Sequence, residues 1–312
     1  MGTEKFFQHL ARLVKQRVQT VTNPLSRRDF DQLHARSLDT LARLATVFHK
    51  SACETQLREL LREPRYANPR RLEHYAFKIF SQNGEDGMLQ EILRRIGTTN
   101  KRFVEFGVQD GLECNTHFLL HSGWDGLWIE GNEAAAAKIR QVFAGPLGNG
   151  SLKLEHRFVT AENINAIISG AQFTGEIDLL SVDMDGNDYH VCRAIEAIMP
   201  RIIVVEYNAS FPPPIKWIKP YEPAYVWDGS MYFGASLSAY TAMLAERGFT
   251  LVGTDLCGVN AFFVKSGLIE DYFAEASDVG ALYNPPRYFL GAGYPSGYPP
   301  IFAKFAGGAA AE

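Results

Sequence analysis

The sequence predicts an α/β protein built on a doubly wound seven-stranded sheet, mostly parallel, with an antiparallel C-terminal hairpin and a helical extension in front. Three observations carry this. Short, nearly continuous apolar runs recur from about residue 75 onward, as strands buried on both faces require. Helix-like segments separate the first five of them, the pattern of parallel βα units. The last two runs lie only a few residues apart, too close for a crossover helix, so they pair antiparallel.

Taken in order, Phe6, Leu10, Leu13, Val14 and Val18 recur at helical spacing, with Lys5, Arg12, Lys15 and Arg17 on the opposite face. Asn23-Pro24 breaks that pattern. A second helical pattern runs through Leu33, Leu41, Leu44 and Val47, and a third through Leu57, Leu60 and Leu61. PRYANPRR (64–71) then reads as a boundary. The expected division is 1–70 as helical extension, 71–275 as the sheet domain and 276–312 as a Pro/Gly/Tyr-rich segment and tail. The extension holds 13 Lys+Arg against 7 Asp+Glu, and the remainder 18 against 28. Such a front segment packs on the body or on a second copy as a homo-oligomer contact, or rests as a basic amphipathic helix on an anionic membrane surface.

The strand runs are RFVEFG (102–107), GLWIEG (126–131), LEHRFVT (154–160), IDLLSVD (177–183) and RIIVVEY (201–207), then FTLVGTD (249–255) and NAFFVKS (260–266). The helical segments between are THFLLHSG, NEAAAAKIRQVF, ENINAIISGA and YHVCRAIEAIM, with SLSAYTAMLAERG before the hairpin. A net charge of −4 argues against nucleic acid as a partner. Four scattered cysteines without a CxxC pair signal neither a zinc knuckle nor a dithiol site. Their apolar settings fit a reducing compartment. With no signal-peptide pattern and no run of about 18 apolar residues, a cytoplasmic address is expected, at most peripheral to the inner face of a membrane.

In open α/β sheets ligands bind at the carboxyl ends of the strands. The first tip carries E-x-G-x-x-x-G at Glu105, Gly107 and Gly111. Its glycines allow close backbone approach, and its acid suits a cationic amino-acid head better than a pyrophosphate. The second ends in Glu130, 19 residues beyond Gly111, where a carboxylate can accept from both hydroxyls of a ribose. The third offers Thr160 and Glu162 at a helix start, with Thr160 either a helix cap or an adenine contact. The fourth crowds Asp183, Asp185 and Asp188 around Gly186-Asn187, carboxylates that repel one another unless a cation or donors lie near. The fifth ends in Glu206 and Asn208.

The combination FVEFGVQDGLECNT, LWIEGN, FVTAEN and IDLLSVDMDG resembles the class I S-adenosylmethionine-dependent methyltransferases, with their Rossmann-like sheet. It is most similar to the FkbM-like O-methyltransferases, which SQNGEDGMLQEIL (81–93) and GTDLCGVNAFFV (253–264) also resemble. The resemblance spans about residues 75–265. It implies S-adenosyl-L-methionine as cofactor, with Glu105, Gly107, Asp110 and Gly111 cradling the methionine part. Glu130 and Gly131 would serve the ribose, Thr160 and Ala161 the adenine, with Gln82 and Asn115 nearby. The basic extension and the more acidic fourth tip depart from the FkbM-like pattern.

A sugar hydroxyl is a poor nucleophile, so a base or a cation is expected beside it. Asp183 with Glu206 and Asn208 makes an all-oxygen set suited to Mg²⁺, which Asp185 or Asp188 could join. The metal-free alternative has Asp183 contacting the cofactor's amino group, with His190 or a carboxylate such as Asp185 as base. His117 and His121, four residues apart without a third nitrogen ligand, read as structural. The long insertion 209–234 is rich in aromatic residues, and Trp217, Trp227 and Tyr232, with Tyr207 beside it, suit the apolar faces of a pyranose. A lid packed on the sheet is the other reading. NPPRYFLGAGYPSGYPP (284–300) could close the same mouth. The expected activity is O-methylation of a sugar, glycan or glycolipid acceptor. A nicotinamide-dependent oxidoreductase and a non-catalytic scaffold are the alternatives; the missing GxGxxG counts against the first.

Overall fold

The computed structural model describes residue 12 and residues 27–290. The expected first helix, apart from Arg12, and the segment after Leu290 lie outside the described residues. Two compact units emerge, Met1–Ala52 and Cys53–Glu312. The second and third helical patterns belong to one helix, α1 (Arg27–Leu60). No glycine or proline interrupts those residues, so nothing in the backbone ends the helix between them. Before Ala52 its side chains are nearly all exposed, Leu33, Leu41, Val47 and Phe48 included. From Cys53 onward they pack: Cys53, Leu57 and Leu60 cluster with Cys257, Val259, Tyr288 and Leu290. The division therefore falls at residue 52 rather than near residue 70. Tyr66, Arg71 and Leu72 are core residues of the second unit, and Arg71 donates through Nε and Nη2 to both oxygens of buried Glu73. Among the described residues, no helix is long and apolar enough to cross a membrane.

The seven strands lie where the apolar runs predict them: β1 (Arg102–Phe106), β2 (Asp125–Glu130), β3 (Leu152–His156), β4 (Gly175–Val182), β5 (Ile198–Glu206), β6 (Phe249–Thr254) and β7 (Asn260–Lys265). Between them run α2 (Glu85–Ile96), before β1, then α3 (His117–Leu120), α4 (Glu133–Val142), α5 (Ala144–Asn149), α6 (Ile164–Gly170), α7 (Asp188–Ala194) and α8 (Leu237–Glu246); α9 (Val279–Leu282) follows β7. The sheet order is β3-β2-β1-β4-β5-β7-β6. The first five strands are parallel, and β7 inserts antiparallel to both β5 and β6. Strand order reverses between β1 and β4, the switch point where α/β sheets open a crevice. Because β7 runs backward, its first residue, Asn260, lies opposite Glu206 at the end of β5. The β6–β7 turn thus reaches the same rim as the tips of the parallel strands.

Side chains alternate between two cores, as the pleat requires. Val104, Phe106, Leu127, Ile129, Leu180, Val182, Ile203 and Val205 face one. Phe103, Trp128, Leu179, Ile202, Val204 and Phe262 face the other, with Met88, Leu89 and Ile92 of α2. Glu105, Ser181, Asp183, Glu206 and Asn260 continue the second alternation to the rim.

At the opposite end of the sheet, fully buried Asp178 accepts the N–H groups of Thr99, Asn100 and Lys101 and pairs with Arg201 at 2.8 Å. Burial alone would raise its pKa, but Arg201 and those amides together hold it below the usual carboxylate range. A depressed folded pKa stabilises above the unfolded value of about 4 and ceases to do so as pH falls through the folded value. Asp178→Asn should therefore cost about 3 kcal/mol near pH 7. In urea titrations at descending pH, that difference should shrink once the pH falls below the unfolded carboxyl's range of about 4 and vanish only below the depressed native value.

Candidate functional site

Two adjoining cavities open over the tips of β1, β2, β4 and β5. Gly107, Gln109, Asp183, Asp185 and Trp227 line both, so they form one cleft. The first chamber is acidic, with Glu105, Glu113, Asp183, Asp185 and Glu206 on its wall. The second is lined by Glu130, Gly131, Phe158 and Val159.

Glu105 reaches the acidic chamber but is already bonded. Its carboxylate accepts from Asn115 N (3.0 Å), Thr116 N (3.1 Å), Thr116 Oγ1 and Ser181 Oγ (2.9 Å). Burial raises its pKa and these donors oppose the rise. It ties β1 and β4 to the turn that leads into α3. This corrects the expectation of a carboxylate held open for a cation. Gly107 has φ +79°, and a Cβ there would lie 1.5 Å from the carbonyl oxygen of Asp183. Gly111 serves packing rather than ligand approach, since its Cβ would meet the Trp128 ring at 2.6 Å. Asp110 bonds Leu112 N in its own turn and lines neither chamber. Gln82 and Asn115 do line the acidic chamber, with Asn115 Nδ2 on Ser181 Oγ.

Glu130, at the end of β2, lines the second chamber. Its two oxygens accept Gln109 N (2.8 Å) and Asn132 N (2.7 Å), and lone pairs remain for a ligand in the second chamber. Thr160 and Ala161 do not line the cleft. Thr160 N donates to Asn163 Oδ1, and Ala161 N to the hydroxyl of Tyr221, so the insertion engages one of the two residues that the resemblance assigned to an adenine. From the same segment, Phe158 and Val159 line the second chamber.

The fourth and fifth tips bring three carboxylates together. One oxygen each from Asp183, Asp185 and Glu206 lies within 4.8 Å of the others. Burial pushes Asp183 well above the usual carboxylate range, and repulsion from Asp185 and Asp188 adds to it. Asp185 is pushed up to about 6 by burial and by Asp188, while burial and Asp183 raise Glu206. Glu206 Oε2 is buried without a hydrogen-bond partner. Two expected members are absent from the cluster. Asn208 is fully buried with its amide N–H groups on Met231 O and Phe233 O, and its oxygen accepts Ser210 N, so it braces the insertion. Asp188 accepts Met184 N and Gly186 N and fixes the turn before α7. His190 is no base here: its Nε2 meets Lys219 O at 2.8 Å, and the ring lines neither chamber. His117 and His121 stack on Phe80, a packing role.

The insertion 209–234 folds back on the sheet as a packed lid. Trp217 stacks on Phe211 with centroids 4.3 Å apart, Tyr207 donates to Asn284 O, and Tyr232 packs edge-on against Trp217. None of these three lines the cleft; of the aromatic residues expected at the acceptor, only Trp227 does. Buried Lys219 sits 3.7 Å over the Tyr225 ring, and that ring lies where a Cβ on Gly186 would be, at 2.4 Å. Sequence reasoning missed Asn83, Gln109, Val259, Asn260 and Tyr288 on the cleft wall. Asn260 lies within the quoted GTDLCGVNAFFV segment, which was the signal available.

No protein-family model and no curated protein matches the chain. Solved structures that resemble it include the N-terminal domain of EvdMO1 in the presence of S-adenosylhomocysteine and D-fucose (14% identity, 67% of this chain and 95% of that one, TM-score 0.37). Another is the glycopeptide N-methyltransferase MtfA complexed with S-adenosylmethionine (12%, 59% and 94%, TM-score 0.37). A third is an S-adenosylmethionine-dependent methyltransferase from Clostridium acetobutylicum (9%, 56% and 88%, TM-score 0.35). All three likenesses are distant in sequence and loose in superposition, so the chemistry of the cleft itself has to carry any functional conclusion.

Proposed function

We propose that this chain is an S-adenosylmethionine-dependent O-methyltransferase of FkbM-like type, acting on a hydroxyl of a sugar or glycan-like acceptor with help from a divalent cation. The observation that carries the reading is the two-chambered cleft at the β1/β4 switch point, with Glu130 in one chamber and the Asp183–Asp185–Glu206 cluster in the other. The residues present fit both groups. Glu130 offers a carboxylate to a ribose diol, and the unpartnered Glu206 Oε2 fits a cation among the three acids. When bound, S-adenosylmethionine would supply an activated methyl group, and a cation held by Asp183, Asp185 and Glu206 would supply positive charge to an acceptor hydroxyl.

The chain's residues do the rest. Gly107 and Gln109 form the shared floor along which the cofactor's two ends would lie in adjacent chambers. Asp183 lines both chambers, so it would stand beside a methyl group passed from a cofactor to an acceptor hydroxyl there. The acidic cluster takes up the hydroxyl proton or lowers the cost of losing it. Trp227 and Tyr288 line the acidic chamber and would give an apolar sugar face aromatic surface to rest on.

In the test, S-adenosylhomocysteine should raise the melting temperature and NAD should not. Glu130→Ala should weaken S-adenosylhomocysteine binding by about 1.5–3 kcal/mol in calorimetry. Unchanged affinity would remove Glu130 from the ribose.

A further inference from the structure

We propose that Asn260, at the start of β7, supplies a neutral carbonyl ligand to a divalent cation held with Asp183, Asp185 and Glu206. Glu85 acts through it as a positioning residue that fixes the direction of that carbonyl. This rests on the methyltransferase reading above and names an oxygen outside the three acids.

Glu85 opens α2 and is fully buried. Its Oε1 accepts Asn260 Nδ2 at 2.7 Å, and Asn83 adds its backbone N–H at 2.7 Å and its amide at 3.3 Å. A carboxylate can only accept, so Asn260 must present its nitrogen to Glu85 and its oxygen the other way. The backbone N–H of Asn260 goes to Asp255. Both N–H functions of this residue are thus committed, while Oδ1, on a side chain 2% exposed, is buried with no partner. An amide oxygen left so costs about 1–3 kcal/mol.

Asn260 stands directly opposite Glu206 in the β5–β7 register. Opposite residues project to the same face, with Cβ atoms about 5 Å apart. Glu206 is 8% exposed, and its Oε2 is the neighbouring orphan. Both residues line the acidic chamber with Asp183 and Asp185. Two orphan acceptors beside two more carboxylates call for positive charge. Three carboxylates and an amide carbonyl form the hard, all-oxygen set that Mg²⁺, Mn²⁺ or Ca²⁺ takes. Asn260 fills the role the sequence assigned to Asn208, reaching it from the antiparallel strand.

The test uses the full chain and Mn²⁺ as probe, titrated by electron paramagnetic resonance, with S-adenosylhomocysteine binding and melting measured in parallel. Wild type should bind one Mn²⁺ that Mg²⁺ displaces. Asn260→Ala should lose about tenfold or more in Mn²⁺ affinity and still bind S-adenosylhomocysteine. Glu85→Gln, whose amide can accept or donate and so frees Asn260 to flip, should lose about tenfold. In the Asn260→Ala background the same change should cost nothing further. Should Asn260→Ala fail to fold, Glu85→Gln alone decides; a purely structural Glu85 would shift melting but leave Mn²⁺ affinity unchanged. Wild-type Mn²⁺ affinity in both folded variants overturns the proposal. So does the absence of Mn²⁺ binding to a wild type that binds S-adenosylhomocysteine, which spares the methyltransferase reading. If wild type binds no S-adenosylhomocysteine, both fall.

Discussion

Gly107→Ala should destabilise the protein by about 3 kcal/mol or more and abolish cofactor binding. Two costs combine. At φ +79° any side chain strains the backbone by about 1–2 kcal/mol. The new methyl would also lie 1.5 Å from the Asp183 carbonyl oxygen, backbone that can yield only by moving the tip of β4. Gly123→Ala is the matched control. It has φ +74° with nothing within 4 Å of its Cβ, so it bears the strain without the collision. Urea unfolding of the two variants separates the costs. Equal losses would mean the β1 and β4 tips part without penalty, and Gly107 would drop out as the residue that holds the cleft floor.

Asp183→Asn should lower turnover of S-adenosylmethionine about a hundredfold or more, measured as S-adenosylhomocysteine formed with a glycan acceptor pool. The amide keeps the shape and removes the charge at the junction of the two chambers. Stability should move the other way. Burial and the neighbouring carboxylates raise the Asp183 pKa, so the folded protein bears a cost of charging or protonating it that Asn does not, and the metal-free variant should melt no lower than wild type. Near-native turnover would take Asp183 out of the reaction.

The strands were legible because burial on both faces makes each an uninterrupted apolar run. The acids at their ends stand out against those runs, and Asp183, Glu206 and Glu130, read as strand-tip acids from that contrast, all line the cleft. What sequence spacing could not convey is where a side chain finds its partner. Asn208 and His190 look catalytic by position, yet the insertion offers them Met231 O, Phe233 O and Lys219 O, and they turn toward it. Gly111 looks like a ligand glycine, yet the neighbour it accommodates is Trp128, 17 residues on. Asn260 was hidden for the opposite reason. Its carbonyl gains meaning only from Glu85, 175 residues away in sequence.

The backward run of β7 has one more consequence. Every parallel strand tip is tied to a crossover helix whose hand and packing constrain it. The wall made by Leu256–Val259 and Asn260 hangs instead on a hairpin turn, anchored by Asp255 to the N–H groups of Cys257 and Val259. The turn is held from outside the sheet: Cys257 and Val259 pack against Leu57, Tyr288 and Leu290, and a Cβ on Gly258 would lie 2.5 Å from the carbonyl oxygen of Pro285. The shape of the acidic chamber on this side thus depends on residues 284–290 and the end of α1, segments that belong to no strand of the sheet.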